Sequence, residues 1–140
     1  MFSQTAEYAL RAMICLATLE REGAAAASSE RISHLTGIPS GYLSKIMRSL
    51  VVGGLVGSQR GPHGGFSLAR PARAITLLDV VRAVSADHGV ESAPGDNGVG
   101  PESPLGQRLR QLTLALQESL RAATIEQVLG EVRQRGGDAA

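Results

Sequence analysis

Arg60 stands in the run Ser58-Gln-Arg-Gly-Pro-His-Gly-Gly65, an arginine at the start of a Gly- and Pro-rich tip. A guanidinium carried on such a tip suits the narrow minor groove of A·T-rich duplex DNA, where negative potential is strongest. Upstream, Ser40, Gly41, Ser44, Lys45 and Arg48 fall on one face of a helical pattern, opposite Tyr42, Leu43, Ile46, Met47 and Leu50. Lysine and arginine there can bond guanine or phosphate, and the serine hydroxyls can bond either. Tyr42 counts with the apolar stripe through its ring, while its hydroxyl is within reach of a phosphate. Between Arg31 and Leu78 there are six basic side chains and no Asp or Glu. A helix and a hairpin that share a basic, acid-free surface form a duplex-reading module, because phosphates attract arginine and repel carboxylates.

Other chemistries fit these residues less well. Gly61, Gly64 and Gly65 allow the tip to turn and approach a duplex, with Ser58 and His63 beside them. A nucleotide-cradling loop would need a Lys-Ser/Thr ending and a following helix, and neither is present. His63 adds a donor, or a pH-dependent charge, at the tip. His34, His63 and His88 are scattered, so no metal site is expected from them. Cys15 lies among Ala12, Leu16 and Leu19 and reads as a small buried hydrophobe. There is no Ser/His/Asp arrangement and no carboxylate pair in an apolar setting, so an enzyme is not expected.

The elements that hold these groups follow from periodicity. Residues 3–20 read as a first helix, capped by Ser3 or Thr5, with Tyr8, Ala9, Ala12, Leu16 and Leu19 at helical spacing. A second short helix runs from Ser28 or Ser29 to about Leu35, with Ile32 and Leu35 as its buried pair. Gly37 supplies a left-handed turn, and Pro39 suits the first turn of the third helix. Two helices joined by such a turn match helix-turn-helix. Leu55-Val56 leads into a strand, and Phe66 and Leu68 alternate with Ser67 and Ala69 on the return. Thr76-Leu-Leu-Asp79 and Thr124-Ile-Glu-Gln127 are capping-box patterns that open two further helices. Between them, residues 88–103 carry four glycines and two prolines without periodicity, which reads as a loop or linker. From Pro104 a long helix carries Leu105, Leu109, Leu112, Leu116 and Leu120, a narrow stripe suited to pairing with a second copy.

The 140 residues suffice for one ordinary domain, and 43% hydrophobic with 19% charged residues indicates a globular chain. Two Tyr and two Phe, with no Trp, argue against a base-stacking platform for single strands. The net charge of +1 conceals an asymmetry. Residues 1–73 hold eight Lys and Arg against four acids, whereas 74–140 hold six Arg against nine acids. A single cysteine permits no internal disulfide. With no signal peptide or 18-residue apolar window either, the expectation is a cytoplasmic protein without a membrane span.

The matching stretches carry a family likeness. Tyr8-Ala-Leu-Arg-Ala-Met13, Gly37-Ile-Pro-x-x-Tyr-Leu43, Gly54-Leu-Val56, Ser58-x-Arg-Gly-Pro-x-Gly-Gly-Phe-x-Leu-Ala69 and Ile75-Thr-Leu-Leu-Asp79 resemble the Rrf-two family of winged helix-turn-helix transcriptional regulators. The likeness is close over residues 1–86 and extends in outline to the Leu-striped helix. It implies a homodimer on a palindromic operator, usually as a repressor, with the recognition helix in the major groove and the wing in the minor groove. Cluster-binding relatives carry three cysteines in the loop after the fourth helix. Residues 88–103 contain none, and Ser92, Ser103 and His88 are not comparable ligands, so no iron–sulfur cofactor is expected. His63 replaces a common glycine. Glu7 stands where relatives often have a basic residue, which implies one weaker phosphate contact.

The expected fold is therefore mainly α with a small β-hairpin. A winged helix-turn-helix domain covers 1–86 and a loop covers 87–103. A dimerisation helix and terminal helix cover 104–135, and a tail covers 136–140. The expected partners are double-stranded DNA and a second copy. The alternative is a regulator acting mainly through a partner protein or small effector bound by the loop and long helix. Steep salt dependence of binding separates the two.

Overall fold

Helix α1, Gln4–Arg21, is the spine on which the reading elements assemble. Its N-terminus is fixed by Ser3, whose hydroxyl accepts from the Ala6 N–H at 3.2 Å. Ala6, Ala9, Ala12, Met13, Leu16 and Ala17 fall along its buried side at helical spacing. The small alanines let α2 (Ser29–Thr36), α3 (Ser40–Val52) and α4 (Leu77–Ser85) come close to the spine. The computed structural model describes residues 3–85, 100 and 102–138. Most of the expected loop at 88–103 and the end of the tail lie outside the described residues.

Strands β1, Val56–Gln59, and β2, Gly65–Leu68, pair antiparallel in the register Val56↔Leu68 to Gln59↔Gly65. Leu55 leads into β1 and is buried just before it. The hairpin has a third participant that periodicity does not reveal. Ala27 donates to the Phe66 carbonyl at 2.9 Å and accepts from the Phe66 N–H at 2.7 Å. That single bridge anchors the wing to the α1–α2 link. A short 3₁₀ turn at Ala72–Ala74 then leads to α4.

Both capping boxes form. Thr76 N donates to the Asp79 carboxylate at 3.0 Å, and Asp79 N donates to the Thr76 hydroxyl at 3.1 Å. The same reciprocal pair joins Thr124 and Gln127 at 3.0 and 3.2 Å. Helix α5 covers Pro104–Ala122 and α6 covers Ile125–Asp138. The two capped starts are tied together, since Ile125 N donates to Ile75 O and Leu77 N to Ala123 O, both at 2.9 Å. Ile125 and Leu129 join the same buried cluster as the helix-turn-helix. Full burial of each such side chain stabilises by about 1.5–3 kcal/mol.

Four expectations need correction. Leu35 is 54% exposed rather than paired with Ile32, because α2 ends at Thr36 and presents that side to a groove. Tyr42 is 37% exposed, so its ring flanks the core instead of filling it. Pro39 is the residue before α3 rather than within its first turn. Leu120 is buried within its own chain at 6% exposure, which removes it from any free stripe.

Candidate nucleic-acid interface

The turn between α2 and α3 is built from polar groups that aim α3. Gly37 takes φ +75° and donates to Ser33 O at 2.8 Å. Thr36 hydroxyl donates to Ile32 O at 2.6 Å and accepts from Ile38 N at 3.3 Å, while Ser33 hydroxyl donates to Ile38 O. Ile38 is fully buried beneath this network. On α3 itself, Leu43, Ile46, Met47 and Leu50 are buried to 2% exposure or less. That fixes the rotation of the helix and leaves Ser40, Gly41, Ser44, Lys45 and Arg48 exposed together.

Ser44 donates its hydroxyl hydrogen to Ser40 O at 3.0 Å, so its outward lone pairs act as acceptors. Lys45 and Arg48 have no carboxylate partner within ion-pair distance among the described residues. Tyr42 packs edge-to-face on Tyr8, centroids 5.4 Å apart, and its hydroxyl bonds the Thr5 hydroxyl.

The wing tip runs from Arg60 to Gly64 and is closed by Gly64 N donating to Gly61 O at 2.9 Å. Ser58, Arg60, Gly61 and His63 are exposed, and Gly64 is half-buried. Arg60 has no hydrogen bond or ion pair to its own chain among the described residues. The glycines serve mainly internal geometry. A Cβ at Gly64 would sit 2.3 Å from Gln59 O, and one at Gly65, where φ is +139°, would sit 2.3 Å from Ala27 O. Gly61, at φ +108° with open space around it, is the one that shapes the exposed tip.

Of the remaining basic residues in the acid-free stretch, Arg70 lies 4.0 Å from Asp79. Arg31 lines a groove of about 770 Å³ along α1 with Leu10, Arg11, Cys15, Leu35 and Val132. Cys15 is half-buried there, not fully enclosed. Burial pushes its thiol pKa up; Arg31 opposes this and Glu22 adds to it. Sequence reasoning missed this groove, since it is lined from four helices and no single stretch spells it out. On α5, Leu105, Leu109 and Leu112 are 47%, 51% and 61% exposed, and Leu116 is half-buried. Leu114, 55% exposed, lies on the other side of the helix from them.

An aimed helix with a bare polar face, next to a short hairpin with a free arginine, defines a winged helix-turn-helix DNA-binding protein. Residues 2–131 match the family profile described as "Rrf2: Iron-dependent Transcriptional regulator", and the chain belongs to that family. It is 35% identical over 132 residues to a candidate HTH-type transcriptional regulator, Rv1287 of Mycobacterium tuberculosis, covering 93% of this chain and 79% of that one. It is 32% identical over 121 residues to the HTH-type transcriptional regulator IscR of Cereibacter sphaeroides, covering 86% and 76%. Among solved structures it is similar to T. potens IscR, with TM-score 0.76 and 26% identity over 94% of this chain and 88% of that one. It is also similar to CymR of B. subtilis, with TM-score 0.70 and 29% identity over 94% and 97%. The chain is thus a transcriptional regulator of the winged-helix type. No helix among the described residues is long and apolar enough to cross a membrane.

Proposed function

We propose that this regulator acts as a cytoplasmic homodimer that represses transcription at a palindromic operator. Its α3 enters the major groove through Ser40, Gly41, Ser44, Lys45 and Arg48, with Tyr42 toward the backbone. Its wing enters the minor groove through Ser58, Arg60, Gly61, His63 and Gly64. The observation that carries the reading is that Lys45, Arg48 and Arg60, in a stretch from Arg31 to Leu78 that contains no acid, have no carboxylate partner among the described residues. Three cations left without a carboxylate are best satisfied by phosphates and base edges.

The dimer reading is supported by the run Leu105, Leu109 and Leu112, three large apolar side chains left about half exposed on one helix face. Apolar surface presented in this way marks an association site. The family description names iron, and the donor set here does not fit a cluster. Thiolates hold such clusters, and the sequence has one cysteine, on α1. Among the described residues no group of three His, Cys, Asp or Glu could hold a metal ion.

A second reading, control by a small effector or partner protein, is favoured by the groove along α1. A salt titration separates the two. Duplex binding through several phosphates makes log affinity fall with log salt at about 0.9 per phosphate neutralised, whereas a flat response favours the second reading.

A further inference from the structure

The charged groups of the groove along α1 are unevenly spread. Cys15 stands midway along its α1 side. Glu7 and Glu22 lie toward the two ends, about 12 and 10 Å from Cys15 at the rise of an α-helix. Arg11 lies over the Tyr8 ring at 5.7 Å, so its charge already has a partner. Arg31 enters from α2 and has no carboxylate within ion-pair distance among the described residues. At the Cys15 thiol the effect of Arg31 outweighs that of Glu22. The middle of the groove is therefore positive, although its ends are acidic.

Around that positive centre the lining is apolar. Leu35, one turn beyond Arg31 on α2, and Val132 of α6 line the groove while about half exposed. Leu10 and Ile14 of α1 line it beside Cys15. Large apolar side chains left open to water around one unpaired cation suit a ligand with an apolar body and a single anionic head. We propose that this groove binds an apolar monocarboxylate, its carboxylate on Arg31 and its hydrocarbon body against Leu10, Ile14, Leu35 and Val132. The site rests on the effector reading of the groove and gives that effector a chemistry. A second anionic group is disfavoured, because Glu7 and Glu22 would repel it at either end. Because Arg31 and Leu35 belong to the helix-turn-helix and Val132 to α6, one occupant touches both the reading head and the C-terminal helices.

The test is calorimetry on the full chain with three probes that share a tail and differ in the head: octanoate, octan-1-ol and octylammonium. Octanoate is expected to bind about tenfold more tightly than octan-1-ol, as for one charge-assisted contact, and octylammonium more weakly than either. Arg31→Gln should bring octanoate down to the level of the alcohol, while Arg31→Lys keeps part of the preference. Leu35→Ala combined with Val132→Ala should weaken all three probes. Cys15, the one cysteine of the chain, reports position, since bound octanoate should slow its alkylation by iodoacetamide. No octanoate binding, equal affinity for the three heads, a preference that survives Arg31→Gln, or alkylation unaffected by bound octanoate would overturn the site. So would octanoate binding found only in a chain carrying Leu109→Glu and Leu112→Glu, which would assign the groove to a second copy. Octanoate that binds as expected without changing operator affinity would keep the site and remove the effector reading alone.

Discussion

Replacing Arg60 by alanine separates reading from folding. The side chain is exposed at the wing tip and makes no hydrogen bond or ion pair to its own chain among the described residues. Its truncation therefore removes no packing, and stability should stay within about 0.5 kcal/mol of wild type. An arginine engaged on DNA contributes about 1–3 kcal/mol, and a dimer carries two wings. The loss is then at least about 2 kcal/mol, close to thirtyfold in affinity at roughly tenfold per 1.4 kcal/mol. If both guanidiniums displace counterions, the salt slope should also fall by about two. Arg60→Lys should restore the slope without the preference for narrow A·T-rich flanks, because that groove favours the planar guanidinium. Gel-shift titrations at several salt concentrations read all three quantities. Wild-type affinity in Arg60→Ala, with the protein folded, would refute the wing's placement in the groove.

Other outcomes follow from the packing. Leu109→Glu combined with Leu112→Glu should shift sedimentation from dimer to monomer, since charges would replace two half-exposed leucines of α5. A dimer that persists would place the interface elsewhere. Gly65→Ala should destabilise by more than about 1 kcal/mol in urea melts, because its Cβ would meet Ala27 O at a positive φ. Burial raises the Cys15 pKa above its unfolded value, so its contribution to stability is whole below the unfolded pKa. That contribution fades as pH rises through the folded value. Cys15→Ala should remove the resulting alkaline slope in stability, and an identical slope in the variant would contradict the assignment.

Where chemistry is local, the sequence was legible. The two capping boxes each span four residues, and Thr76–Asp79 and Thr124–Gln127 close as their spacing predicts. Gly37 takes its left-handed turn because a short polar link between helices requires it. The exposed face of α3 could be read because Leu43, Ile46, Met47 and Leu50 determine which way the helix rotates. What escaped was decided by elements distant in sequence. Ala27 pairs with Phe66 across 39 positions, and one paired residue has no period to detect. Leu35 has the spacing of a core residue yet faces a groove that only the assembled helices create. Leu120 belongs to the Leu stripe by spacing, but its burial depends on how α5 meets its own chain. By sequence Gly64 and Gly65 offer freedom for the approach to a duplex, while their close neighbours are Gln59 and Ala27. Tyr42 shows the same limit, since only the meeting of α1 and α3 joins its hydroxyl to Thr5.

Selection of bound sequences from a random duplex pool tests the central claim most directly. Two copies reading through α3 and the wing should enrich an inverted repeat with half-sites one helical turn, about 10–10.5 base pairs, or a multiple apart. A·T-rich positions should appear where the wings carrying Arg60 meet the minor groove. A pool that remains unenriched, or yields a single site without symmetry, would contradict a dimer that reads duplex sequence.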